Sequence, residues 1–372
     1  MNMNYSLCHD KEHIDPRTSP VISAIMFGAG IFGNVAALVI LEIRRRREAK
    51  AKVNRQRSLF HVLITVLVIT DLAGTCLVSP LVQLSYARNT TLVGLSSLEH
   101  NEVCMYFGVC MTFFSLATLS LLFTMALERC SAIGYPYLYS RYVTHKCAYV
   151  TIPVVFLLCA FFCLLPFTGF GIYVQYCPGT WCFIDMNPEQ SEDRVYANLY
   201  ATIMLVLVLA TVACNGFVMC QLFRMYQRRK RNGGSVMGHS RCSNTLRTAS
   251  IAQEVDHLIL LVFMTIIFII CTLPLVIRVY INSFVKNYSE SHPLDLIALR
   301  FISVNSIIDP WVFILLSPGV MHFFWASVCR VPKHISRGSI FNASVTKDPD
   351  PNLELSHPTL DYLEKCPPAQ DL

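Results

Sequence analysis

The chain has 372 residues, of which 54% are hydrophobic and only 15% charged, with a formal net charge of +6. A soluble domain carries roughly 25% charged residues, so this composition, with its apolar residues clumped into long runs, excludes an ordinary soluble fold and points to a polytopic membrane protein. The basic residues stand beside the apolar runs rather than on a basic domain of their own, which argues against nucleic acid as a partner.

Residues 1–17 are polar. They lack a basic segment followed by a short apolar core, so no cleaved signal is expected and the first span serves as its own insertion signal. That span is uncharged from Thr18 to Leu41. Gly28, Gly30 and Gly33 predict close helix packing there, and Asn34 a hydrogen bond to a neighbouring helix. Arg44 to Arg47 open a basic connection that runs through Lys50, Lys52, Arg55 and Arg57. Beside a membrane span such a run reads as a cytoplasmic anchor rather than a nuclear address.

The second span covers about Ser58 to Tyr86 and is interrupted by Asp71. The third, Val103 to Leu127, is uncharged and ends in Glu128-Arg129-Cys130. The fourth lies within Cys147 to Gly171, the fifth covers about Val195 to Phe223, and the sixth runs from Leu258 to Ile277 with Pro274 near its end. The seventh, Leu294 to Leu316, carries Arg300 and Asp309 inside its apolar run. A charge at that depth costs about 2.5–3.5 kcal/mol on insertion scales and usually marks function. Nine residues separate the two, roughly 13 Å along a helix and on opposite faces, so each needs its own partner. For Arg300 a structural ion pair with Asp295 is the rival to a ligand role.

The connections after spans one, three and five are basic, whereas those after two, four and six hold Glu99, Glu102, Asp185, Glu189, Glu192, Asp193 and Glu290. The positive-inside rule then places the N-terminus outside and the C-terminus inside. The sequons at Asn4, Asn89 and Asn287 all fall outside, and a fourth at Asn342 falls inside. Four cysteines lie outside, Cys8, Cys104, Cys177 and Cys182, and allow three connectivities. Cys104–Cys182 is favoured, with Cys8–Cys177 as the second choice. Residues 317–331 hold a short amphipathic piece with Phe323, Phe324 and Trp325, expected along the inner leaflet, followed by Cys329 as a palmitoylation candidate. Residues 332–372 are Pro-, Ser- and Asp-rich and are expected to be a disordered tail.

The expected architecture is an all-α seven-transmembrane bundle over residues 18–316 with a short amphipathic eighth helix. Asn34, Asp71, Glu128-Arg129-Cys130, Cys271-Thr272-Leu273-Pro274 and Asp309-Pro310-Trp311-Val312-Phe313 resemble, in order, the polar landmarks of rhodopsin-like G-protein-coupled receptors. Several depart from the usual forms: aspartate stands for asparagine at Asp309, phenylalanine for tyrosine at Phe313, Cys130 for tyrosine and Thr272 for tryptophan. These departures are shared with the prostanoid receptors. Gln175 to Phe183, with Leu299-Arg300-Phe301 and Asn305 to Trp311, is similar to that branch's second outer loop and seventh helix. Met111 to Thr118, Met125 to Arg129 and Asp256 to Leu261 resemble the Gs-coupled members that bind prostaglandin E.

The resemblance implies prostaglandin E2 as a lipid ligand, a heterotrimeric G protein of the Gs class as partner, a rise in cyclic AMP, a plasma-membrane location and no cofactor. Arg300 is the expected carboxylate partner, because a planar guanidinium gives two parallel charge-assisted hydrogen bonds. Thr180 and Tyr86 complete that site by the resemblance, and Met26, Met111, Trp181, Leu296 and Ser303 line it. Leu296, Arg300 and Ser303 also share a helical face by spacing. Asp71, Asn305 and Asp309 are expected to form a polar transmission core, in which two carboxylates could share a proton or hold a cation. Glu128 and Glu254 are expected to restrain Arg129. Receptors for prostaglandin D or prostacyclin are the near alternatives, and a lipid transporter or membrane enzyme the distant one. No HExxH, GxSxG or acidic metal cluster with enzyme spacing appears.

Overall fold

The computed structural model describes residues 9, 11–14, 18–50, 59–96, 101–142, 145–232, 241–284 and 292–316, with the side chains of 47–50, 145–146, 229–232, 241–254, 256 and 292–293 excepted. The piece at 317–331, the tail at 332–372, Cys8 and the sequons at Asn4, Asn287 and Asn342 lie outside them.

Among the described residues seven helices are long and apolar enough to cross a membrane. In hydrocarbon every backbone N–H and C=O must be satisfied within the segment, and an apolar run of this length meets that demand only as a helix. They are α1 (Val21–Lys50), α2 (Leu59–Arg88), α3 (Glu102–Gly134), α5 (His145–Leu164), α6 (Ser191–Asn232), α7 (Arg241–Phe284) and α8 (His292–Leu315). A short helix, α4 (Pro136–Tyr142), fills the connection between α3 and α5. In the most apolar window of α3, 61% of the residues are buried within the protein, against 17% for α5. So α3 is the axis of the bundle and α5 is a peripheral helix with most of its surface turned to lipid, as with exposed Leu157, Leu158 and Phe161.

The expected close packing of α1 is selective. A Cβ on Gly33 would lie 2.8 Å from the Trp311 indole nitrogen, so the missing side chain lets α8 approach, whereas Gly28 faces open space. Asn34 sits at the same seam. Its amide donates to the carbonyls of Gly30 at 2.9 Å and Ser306 at 3.1 Å, tying α1 to α8.

One end of the bundle carries two elements that the sequence reading treated as loop and as a polar leader. Strands β1 (Tyr173–Tyr176) and β2 (Trp181–Ile184) pair antiparallel with Gln175 opposite Cys182. The turn between them holds a cis Cys177-Pro178 bond and Gly179 at a φ of 100°. A disulfide joins Cys104 at the start of α3 to Cys182 on β2, and Cys177 is also disulfide-bonded. Residues 11–14 lie across this end. Thr91 donates its backbone N–H to Glu12 and its hydroxyl to Lys11, the Gln175 side chain donates to Lys11 as well, and Ile14 is buried. Tyr173 anchors the hairpin to the bundle by donating to the Cys163 carbonyl, and burial pushes its phenol above the ordinary range.

Candidate functional site

Below the hairpin a cavity of about 410 Å³ opens between α1, α2, α3, α7 and α8. Its lining includes Met26, Tyr86, Met111, Trp181, Arg300 and Ser303, six of the eight residues assigned to ligand contact from the sequence. The other two lie outside the lining. Leu296 lies one turn beyond Arg300 on α8 and does not line the cavity. Thr180 is buried in the hairpin turn beside Trp181, outside the lining, and its hydroxyl has no hydrogen-bond partner among the described residues.

Arg300 is exposed into this space, and among the described residues its guanidinium has no hydrogen bond or ion pair. Asp295, the rival partner, is fully buried and taken by α7. It accepts from the Arg278 guanidinium at 2.7 Å, and the Asn282 amide stands 3.3 Å away. Sequence reasoning missed this pair because the sixth span was ended at Ile277, one residue short of Arg278. The exposed charge in the cavity is therefore a cation, and the residues about it are apolar or hydroxyl-bearing. Such a site suits an amphipathic anion.

The floor of the cavity is polar. Asp71 and Asn305 both reach it. Thr118 on α3 donates to Asp71 at 3.1 Å, and the Asn305 amide donates to Asp309 at 3.1 Å, the contact expected from their spacing of four. All three are buried, and one oxygen on each of Asp71, Asn305 and Asp309 has no partner among the described residues. Among those residues no group of three or more His, Cys, Asp or Glu could hold a metal ion.

At the opposite end of α3, Arg129 and Glu128 form a bidentate pair at 2.5 and 2.6 Å, both nearly fully buried. The Tyr139 hydroxyl on α4 donates to the same carboxylate at 2.5 Å. Arg129 also stands 3.3 Å from a His257 ring nitrogen on α7 and 5.0 Å from the centroid of Phe60 on α2. Glu254 lies three residues before His257, nearly one turn, and its side chain is outside the described residues. His257, Phe60 and Tyr139 were not anticipated. Phe60 and His257 stand at span ends and Tyr139 in the connection after span three, placements that many residues share.

The residues from 35 to 313 match the model of the seven-transmembrane receptor, rhodopsin family. The human prostaglandin E2 receptor EP2 subtype is 46% identical over 329 residues, covering 87% of this chain and 89% of that one. The chain belongs to the rhodopsin family of seven-transmembrane receptors, in its prostanoid branch. The mouse prostacyclin receptor is 40% identical over 88% of this receptor and 75% of its own length, and the mouse prostaglandin D2 receptor 38% over 89% and 95%. Squid rhodopsin shares the fold at a TM-score of 0.66 and 15% identity, covering 83% of this receptor and 80% of that chain. Both the cavity and the Arg129 pair thus belong to a multi-pass membrane receptor, and the chain is not an enzyme.

Proposed function

We propose that this receptor binds prostaglandin E2 at the cell surface and activates a heterotrimeric G protein of the Gs class, raising cyclic AMP. The observation that carries the reading is Arg300: a guanidinium with no protein partner among the described residues, set among apolar and hydroxyl-bearing side chains above a polar floor and roofed by Trp181. A carboxylate there gains two charge-assisted hydrogen bonds, and the ligand's apolar chains fill the rest. Tyr86 and the Thr180 hydroxyl are the further donors, the second by a small movement of the hairpin turn. Identity of 46% to the EP2 subtype, against 40% and 38% to the prostacyclin and prostaglandin D2 receptors, supports the E-type ligand and, with it, Gs.

The charge of the connecting loops supports an extracellular N-terminus and a cytoplasmic C-terminus. Asn89, exposed at the hairpin end, is then the described glycosylation site. Signal passes from the cavity through Asp71, Asn305 and Asp309 to Arg129. Glu128 holds that arginine, with Glu254 assigned as a second restraint, until α7 moves away and the G protein enters. The ligand needs only a few kcal/mol of preference for the open state to drive this.

The deciding experiment expresses the receptor in cells that lack prostanoid responses and measures cyclic AMP against prostaglandin E2, prostaglandin D2 and a stable prostacyclin analogue. The expected order has prostaglandin E2 first by at least tenfold, with the response lost in cells without Gs. A leading response to either rival ligand reassigns the receptor to it. No response to the panel at normal surface expression refutes the reading.

A further inference from the structure

Arg278 and Asp295 stand beside the carboxylate site without entering it. Asp295 is completely buried, and Arg278 closes on it at 2.7 Å while also donating to Asn282 at 3.2 Å. Asp185, just past β2, lies within electrostatic range of Asp295 and adds a second negative group. Arg300 follows Asp295 by five residues on the same helix, about 7.5 Å along the axis and roughly 140° around it. Asp295 thus faces α7 while Arg300 faces the cavity. The side chains point apart, so the two charges stand further from each other than this axial offset, yet an uncompensated carboxylate there would still subtract from the positive potential that Arg300 offers to a ligand.

We propose that Arg278 is a positioning residue for ligand charge: by neutralising buried Asp295 it keeps that carboxylate from opposing Arg300, the cation offered to a lipid carboxylate. This inference rests on the Arg300 reading above. It gives the two arginines different work. Arg278 never touches the ligand, yet sets how strongly the cavity prefers an acid over a neutral lipid of the same shape. Its loss leaves a buried carboxylate unpaired, which weakens acids selectively. Removing both charges restores neutrality and should restore the preference.

The test uses the full-length receptor in cell membranes and two probes, prostaglandin E2 and the analogue whose carboxylate is reduced to a primary alcohol. Affinities are measured by competition for wild type, Arg278→Gln, Asp295→Asn and the double variant. Arg278→Gln should weaken prostaglandin E2 about tenfold and the alcohol less than threefold. The double variant should bring the acid back to within about threefold of wild type, and Asp295→Asn alone should cause no loss. A flat Arg278→Gln, equal losses for acid and alcohol, or no recovery in the double variant would each overturn the inference, because a clamp that only holds helices together predicts the last two. If Arg278→Gln does not reach the membrane, Asp295→Asn decides: retained acid affinity upholds the proposal and a selective loss overturns it. A wild-type receptor that binds acid and alcohol equally refutes the Arg300 reading itself, and this proposal falls with it. Acid preference in wild type with a flat Arg278→Gln refutes the present proposal alone.

Discussion

Replacing Arg300 tests the carboxylate assignment most directly, because the structure removes the usual ambiguity of such an experiment. Truncating one member of a buried ion pair ordinarily leaves a stranded partner charge, and much of the measured loss is that penalty. Here the guanidinium has no protein partner among the described residues, so the loss reports the ligand. A hydrogen bond to a charged group contributes about 1.5–3 kcal/mol. Arg300→Lys keeps the charge but gives up one of two parallel bonds, which predicts roughly 10- to 150-fold weaker prostaglandin E2 binding. Arg300→Ala removes both bonds and the charge, about 3–4 kcal/mol, or several hundredfold. Competition with tritiated prostaglandin E2 on membranes, normalised to surface expression, gives both values. The melting temperature of the ligand-free receptor should stay within about 2 °C of wild type, since no native contact of the guanidinium is lost. Prostaglandin E2 affinity within threefold of wild type in Arg300→Ala, at normal expression, would refute the assignment.

Other consequences follow from the same geometry. Glu128→Gln weakens the bidentate hold on Arg129 and should raise ligand-independent cyclic AMP severalfold; an unchanged baseline at equal expression would remove the restraint from the mechanism. Asn34→Leu breaks the link from α1 to the Ser306 carbonyl and should lower stability by about 1 kcal/mol, read as a thermal-melt shift in detergent. Gly33→Leu should cost more, because the new side chain meets the Trp311 ring; a melt equal to wild type would contradict the close approach of α1 and α8. Cys104→Ala opens a link across 78 residues, worth about 4.5 kcal/mol in the chain-entropy account, and should reduce surface expression and ligand binding together.

The spans were legible because hydrocarbon imposes one answer on a long uncharged run. The seven segments emerged in place, although the helices extend past the apolar stretch, as α6 does with 42 residues. Asn305 and Asp309 were equally readable, since a spacing of four leaves them facing one way on any helix. What stayed hidden depends on contacts between distant segments. The hairpin has only four residues in each strand, too short for alternation to declare itself, and its pairing is fixed by packing on α3. Tyr173 lies against Gly108 so closely that a Cβ there would collide with it. Arg278 was lost for another reason: at a span end, a cation reads as an anchor in the interface, and only the fold brings it against Asp295. Leu296 lies outside the lining because a shared helical face fixes direction but not depth.

The strap of residues 11–14 bears on how the receptor is made. These residues leave the ribosome before any span has entered the membrane, yet the Gln175 side chain that holds Lys11 comes 164 positions later. Thr91, the nearer partner, follows Lys11 by 80 positions. The leading segment therefore meets Thr91 only after two spans have been made, and Gln175 only after four. Only when the hairpin emerges do its last hydrogen bonds become available. The roof over the cavity is assembled from the first part of the chain and the middle, so it closes late. A polypeptide stalled after the third span would lack the hairpin and the two helices that complete the cavity, and its amino-terminal segment would keep only the Thr91 contacts, which gives quality control in the secretory pathway a surface to recognise.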